Sequence, residues 1–234
     1  MRINKYLRDA SYGSRRGVEE LIEQGKVKVN GNIVRDLAFD VSNNDVVEVD
    51  GKIITGEKAM TYVIMNKPKG YITTKSDDKG RKTVMQLLPA NMAGLFPVGR
   101  LDYNTEGLLL FTNDGELANH LTAPKNKVRK KYIATIKGDV QDMELNAVRN
   151  GFYYKGIRYG KCECRIKNKQ QGTTKVEIVI TEGKNHEIRN MFEYLHKDLH
   201  LLKRVAIGDL MLTGLNRGEY RKLSNAEVQY LKSL

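Results

Sequence analysis

The spacing of apolar residues changes period within the first 55 or so positions. Ile3, Leu7 and Ala10 recur at helical spacing, and so do Val18, Leu21 and Ile22. From Lys26 the period drops to two. Lys26-Val27-Lys28-Val29 alternates polar and apolar side chains, as a half-buried strand does. Asn30-Gly31 then offers two residues that tolerate φ > 0, and Asn32-Ile33-Val34 returns, which predicts a hairpin with a type I′ turn. Val46-Val47-Glu48-Val49 and Lys52-Ile53-Ile54 flank Asp50-Gly51, a second hairpin signal of the same kind. A unit of about 55 residues is near the lower limit for independent folding, so its core is expected to be small.

Thr55–Thr61 reads as a linker. Beyond it, strand-like and helix-like segments follow in irregular order. Strands are predicted at Tyr62–Asn66, Leu108–Thr112, Lys131–Ile136, Thr174–Thr181 and Leu201–Ile207. Asn113 or Asp114 can cap a helix running to about Leu121, with Glu116 placed for a capping box behind Asn113. The clearest helix is 186–196, where Ile188, Met191, Phe192 and Leu195 share one face. No repeat or low-complexity tract interrupts the chain. The order of elements predicts an α+β fold with domains at 1–58 and 59–234.

Composition narrows the partner. The chain has 234 residues, with 40 Lys+Arg against 28 Asp+Glu and a formal net charge of +12. Residues 1–58 hold ten of each sign and are neutral, so the excess lies wholly in 59–234. The stretch 125–175 carries 14 basic and 4 acidic side chains. Such an excess predicts a polyanionic partner, nucleic acid before an acidic membrane. No apolar run exceeds four residues, as in Tyr62–Met65 and Leu108–Phe111, which predicts neither a transmembrane helix nor a signal peptide. Cys162 and Cys164 are the only cysteines, so a disulfide framework is excluded and a reducing, cytoplasmic setting is expected.

Several candidate motifs fail on their own chemistry. Asp102-x-Asn104-x-Glu106-Gly107 begins like a calcium loop, but the twelfth position is Asn113 where a bidentate Glu is needed. Leu108–Thr112 is moreover too apolar for a ligand loop. His186-Glu187-Ile188-Arg189-Asn190 begins like a zinc-protease helix and lacks the second His. Two cysteines without neighbouring histidines make a poor metal site, and buried strand residues are the simpler reading. Neither GxGxxG nor GxxxxGK[ST] is present, so no nucleotide cofactor and no metal is expected. What remains is a polar loop that presents Asp102 and leads into a buried strand, the kind of place where catalytic groups concentrate. In the first unit, Arg15 and Arg16 follow Ser14 at the start of the second helix. The helix dipole disfavours cations there by about 0.3–1 kcal/mol each. Either solvent screens them, or an anion such as an RNA phosphate binds with them.

The run from Arg2 through Val34, with its paired arginines and Gly-Lys-Val-x-Val-Asn-Gly hairpin, resembles the S4 RNA-binding domain. The remainder resembles the RsuA/RluB family of ribosomal RNA pseudouridine synthases. Four segments carry that resemblance in order: Asn66–Gly70, Gly99–Gly115, Lys130-Lys131-Tyr132, and Glu182–Phe192, the last followed by Leu202-Lys203-Arg204 and Ile207-Gly208. The third motif of the family more often reads Gln-x-Arg-Arg, where this chain has Glu187 and Asn190.

The resemblance implies a synthase domain with a mixed, mainly antiparallel sheet flanked by helices, behind a small S4-like module. It implies conversion of a uridine in ribosomal RNA to pseudouridine without a cofactor. Asp102 would be the essential carboxylate, acting as a nucleophile or setting off glycal formation. A nucleophilic carboxylate must be ionised, and Arg189 matches the basic partner that favours that form. Tyr132 would stack on the displaced uracil, Leu202 would pack near the base, and Arg100 would help hold the nucleotide out of its helix. RNA contacts are expected from Arg2, Lys5, Arg15, Arg16, Lys26, Lys28 and Asn30 in the first unit. In the second they are expected from Lys67, Lys69, Lys130, Lys131 and His186, with His186 placed on the first turn of its helix as a cap or RNA contact. The partner would be ribosomal RNA or a ribosome-assembly intermediate, met by a monomer. The wording of Gly99–Gly115 and Ser76–Arg81 leans to the large subunit, whereas the short C-terminus suits the small subunit. A non-catalytic S4-type assembly protein is the rival reading, and it is disfavoured because Asp102 and Tyr132 are both present.

Overall fold

In the computed structural model the described residues are 1–10, 12–13, 15–54 and 59–234, without the side chain of Arg15. Ser14 and linker residues 55–58 lie outside them. The chain forms two compact units, Met1–Met60 and Thr61–Leu234.

The first unit contains α1 (Ile3–Asp9), α2 (Arg15–Glu23) and four short strands: β1 (Val27–Val29), β2 (Asn32–Ile33), β3 (Val47–Val49) and β4 (Lys52–Ile53). The strands form one sheet in the order β2-β1-β3-β4. Both hairpins close through two-residue turns. Asn30 and Gly31 have φ of 52° and 81°, and Asp50 and Gly51 have 49° and 76°, as a type I′ turn requires. The alternation in β1 buries Val27 and Val29 and exposes Lys28. They pack with Ile3, Leu7, Val18, Ile22, Val47 and Val49 in a core belonging to this unit alone.

The second unit is built on β5 (Tyr62–Lys67), β6 (Phe96–Val98), β7 (Thr105–Thr112), β8 (Lys130–Lys137), β9 (Phe152–Tyr154), β10 (Ile157–Tyr159), β11 (Glu163–Gln170), β12 (Thr173–Ile180), β13 (Leu199–Ile207), β14 (Leu210–Met211) and β15 (Tyr220–Lys222). Its helices are α3 (Gly115–Thr122), α4 (Asp142–Arg149), α5 (Glu187–Tyr194) and α6 (Asn225–Ser233). The large sheet runs β11-β12-β8-β13-β7-β5-β15, with β14 on β13 and β6 on β7. Only β13 and β7 pair in parallel among the described strands. This is an α+β fold with a mainly antiparallel sheet, as expected.

Local chemistry explains the ends. Asp114, not Asn113, caps α3, its carboxylate accepting from the Leu117 N–H at 2.9 Å. Asn113 instead accepts from the Thr61 N–H at 2.8 Å. Helix α5 is shorter than 186–196. It begins at Glu187, because His186 has a left-handed backbone with φ of 53°, and ends at Tyr194. Its apolar face is as expected: Ile188, Met191 and Phe192 are buried in the core with Tyr132 and Leu202. No helix among the described residues is long and apolar enough to cross a membrane.

Candidate active site

The loop between β6 and β7 carries Arg100 and Asp102, and its backbone is pinned at consecutive residues. Thr73 Oγ1 donates to the Leu101 carbonyl at 2.7 Å and accepts from the Leu101 N–H at 3.2 Å. The Gly70 N–H donates to the Tyr103 carbonyl, and the Thr105 N–H to the Asp102 carbonyl, each at 3.0 Å. Beneath the loop lies Lys67, fully buried at the end of β5. Its ammonium donates to the carbonyls of Asp102 (3.1 Å), Thr105 (3.0 Å) and Pro68 (3.1 Å). Burial pulls its pKa down to about 8, with the Asp102 and Glu106 carboxylates opposing the shift. Lys67 is therefore a clamp on the loop, not the RNA contact expected of it.

The Asp102 carboxylate is one-third exposed. Arg189 Nε, in the first turn of α5, stands 3.5 Å from its Oδ2. The guanidinium is steadied from the other side, its Nη2 donating to Thr105 Oγ1 at 3.2 Å. His186 Nε2 lies 3.8 Å from Asp102 Oδ1. The left-handed turn at His186 brings its ring to the carboxylate. The residue precedes the helix and makes no side-chain cap bond, which corrects the expected cap.

These groups open on a cavity of ≈ 480 Å³. Tyr132 from β8 and Leu202 from β13, both buried, form its apolar floor, and Arg100, Lys130, Arg204 and Glu187 are among the other lining residues. The volume falls in the range of about 300–1,000 Å³ that holds small ligands. Lys131 faces away from it. Neighbouring strand residues point to opposite faces, so Lys130 and Tyr132 enter this cavity while Lys131 joins Arg129, Lys161 and Arg165 in a separate basic cleft. The lysine pair is thus divided between two surfaces. Lys69 is exposed near the loop's anchor at Gly70.

The family model described as RNA pseudouridylate synthase matches residues 61–194, and that of the S4 domain matches 1–47. The chain belongs to the RNA pseudouridylate synthase family. It is 38% identical over 235 residues to ribosomal large subunit pseudouridine synthase B of Bacillus subtilis (strain 168), covering 100% of this chain and 96% of that one. An uncharacterized RNA pseudouridine synthase of Aquifex aeolicus (strain VF5) is 41% identical, with 99% and 93% covered. A crystal structure of a pseudouridylate synthase superposes with a TM-score of 0.71 at 29% identity, covering 99% of each chain.

Glu187 and Asn190 both have internal partners here. Glu187 is buried and accepts from the Lys184 N–H at 2.9 Å, and burial raises its pKa. Asn190 Nδ2 donates to Tyr159 Oη at 2.7 Å. The carboxylate of the failed calcium reading is spent likewise: buried Glu106 pairs with Arg217 Nε at 3.1 Å. Cys164 is buried in β11, and Cys162 just precedes that strand. The neighbouring Cys164 and, after it, burial push the Cys162 thiol up.

In the S4 unit of this synthase, Arg2, Arg16, Lys26 and Lys28 are exposed, and Lys26 and Lys28 lie on one face as the alternation predicts. Lys5 is half-buried in α1. Arg15 and Arg16 open α2, whose first turn holds no acidic residue. The side chain of Arg15 lies outside the described residues. Asn30 is committed internally. Its Nδ2 donates to Asp45 Oδ1 at 2.8 Å and its Oδ1 accepts from the Val46 N–H at 2.9 Å, so its amide braces a turn instead of waiting for RNA. Sequence reasoning missed the anchoring roles of Lys67, Thr73 and Thr105, which depend on backbone carbonyls and hydroxyls that no motif spells out.

Proposed function

We propose that this synthase converts a uridine of large-subunit ribosomal RNA to pseudouridine, with Asp102 as the essential carboxylate. The arrangement of Asp102 carries the reading. Its carboxylate is partly solvated, faces Arg189, and stands at a cavity floored by Tyr132 and Leu202. The large-subunit assignment is supported by relatives of that name in Bacillus subtilis and Pseudomonas aeruginosa.

The reaction breaks the C1′–N1 bond, turns the uracil and joins C5 to C1′, with no net gain or loss of atoms. Asp102 either attacks C1′ or removes the C2′ proton to give a glycal. Arg189, with its Nε 3.5 Å from Oδ2, orients the carboxylate. Tyr132 stacks on the uracil, Leu202 packs beside it, and Arg100 with His186 holds the extruded nucleotide at the cavity mouth. Lys69 and Lys130 add phosphate or sugar contacts, and Arg2, Lys5, Arg15, Arg16, Lys26 and Lys28 grip structured RNA elsewhere. The chain works as a monomer in the cytoplasm on ribosomal RNA or an assembly intermediate.

Asp102→Asn is expected to abolish pseudouridine formation while leaving RNA affinity nearly unchanged. Pseudouridine mapping in ribosomal RNA from cells with and without the protein identifies the target. A variant that still modifies RNA overturns the role of Asp102.

A further inference from the structure

Arg204 is a buried cationic group of the cavity that the proposed mechanism leaves unused. It is only 3% exposed. Its Nε donates to the Leu108 carbonyl at 2.7 Å, but its buried Nη2 has no hydrogen-bond partner among the described residues. A folded chain seldom leaves a cationic donor both desolvated and unpaired. The guanidinium has little freedom to escape this position. The Arg204 backbone is pressed against Gly107 of β7, and the Leu108 bond holds the side chain.

The sheet register places Arg204 beside two other residues of the cavity. Arg204 on β13 lies directly across from Tyr132 on β8, and Leu202 sits two residues earlier on β13. Lys130 sits two residues before Tyr132. All four line the same cavity. Burial and the nearby Arg204 charge lower the pKa of Lys130, with the Glu187 carboxylate opposing them. A planar base stacked on Tyr132 would therefore present an edge to Arg204. In uracil the edge acceptors are the carbonyl oxygens O2 and O4.

We infer that Arg204 is a catalytic residue whose Nη2 hydrogen-bonds a carbonyl oxygen of the target uracil and stabilises the negative charge that the base acquires as C1′–N1 breaks. This rests on the uridine isomerisation proposed above. When that bond breaks, its electron pair stays with the uracil and spreads over N1, O2 and O4. The deficit at C1′ is met by the Asp102 carboxylate or by loss of the C2′ proton. C5 then bonds to C1′ and gives up its proton, and N1 takes one up. A fixed cationic donor in a desolvated site favours the charged stage over the neutral ground state.

The test uses the full chain and a short RNA bearing the mapped target as isotope-labelled uridine or as 5-fluorouridine. Loss of the N-linked nucleoside is followed under single turnover with saturating enzyme, alongside RNA affinity and thermal melting. With uridine, Arg204→Gln is expected to slow the reaction by about 100-fold, as for loss of one oxyanion donor, with affinity little changed. With 5-fluorouridine the deficit should shrink to about 10-fold or less, because fluorine disperses the charge that Arg204 would otherwise meet. Arg204→Lys keeps a cation and should recover part of the rate. It also replaces the Gln variant in both arms if that variant does not fold. Equal deficits with both nucleosides would reduce Arg204 to a structural prop, and a variant as fast as wild type would overturn the proposal outright. If wild type isomerises no uridine in ribosomal RNA, the underlying reading fails and the proposal fails with it.

Discussion

The ammonium of Lys67 donates to the backbone carbonyl of Asp102 at 3.1 Å, so a lysine buried at the end of β5 sets the position of the proposed catalytic carboxylate. Lys67→Met would leave three carbonyls without this donor. The rate is expected to fall by about 100-fold through misplacement of Asp102, with RNA affinity retained. Single-turnover kinetics with a binding assay checks both.

The same lysine predicts a pH dependence. Its native pKa is about 8, below the ordinary value of 10.5, so the unfolded chain binds the proton more tightly between those values. The cost of burying the charge is fully present below pH 8 and is relieved as pH rises towards 10.5. Stability therefore gains with pH across this window, and Lys67→Met should remove that gain in denaturant melts. Activity should move the other way in wild type. A neutral amine has two hydrogens for three carbonyls, so the loop loosens above pH 8.

Gly107 has φ of 108°, and a Cβ there would overlap the Arg204 carbonyl oxygen and come 2.7 Å from its amide nitrogen. Gly107→Ala is expected to destabilise the second unit by about 4 kcal/mol or more, since backbone cannot move aside as a flexible side chain can. Chemical denaturation of the two chains measures it.

Glu187 carries a raised pKa because it is buried, only partly offset by the Lys184 N–H and by the Lys184 and Lys130 charges. Its native form holds a proton more tightly than the unfolded form, so its contribution to stability falls as pH rises from about 4.5 to the native value. Glu187→Gln should flatten that fall. The difference between wild-type and variant melting curves over pH 4–8 isolates this residue, and parallel curves would refute its burial as an ionisable group.

Each unit has its own buried core, so deletion of residues 1–60 should leave a folded synthase unit. RNA affinity or target choice should suffer more than stability, and binding of the full chain should weaken steeply with salt. Unchanged affinity for the natural RNA would argue against the S4 unit as the RNA reader.

Much of this architecture can be read from the chain because its local signals agree. Asn30-Gly31 and Asp50-Gly51 name their turns, and Ile188, Met191 and Phe192 name the buried face of α5. The failures have a common physical source. Strand β7 begins at Thr105, not Leu108, because its polar start is buried: Thr105 meets Lys67 and Arg189, Glu106 meets Arg217, and Gly107 meets Arg204. Those partners are distant in sequence, so the residues look like loop. Lys67 looks like a solvated cation for the same reason. Strand β11 carries no apolar pattern to predict it, because most of its side chains are exposed at the sheet edge.

The parallel pairing of β7 with β13 also has a temporal consequence. It joins Thr105 to Leu202 and Gly107 to Arg204 across nearly a hundred positions of chain. During synthesis, Asp102 leaves the ribosome long before the strand that supplies Leu202 and Arg204. The cavity can close only after β13 emerges, and such long-range closure is slow. A nascent chain halted before Leu199 would carry the Asp102 loop without the β13 part of its floor. Competence is thus acquired only once β13 has emerged.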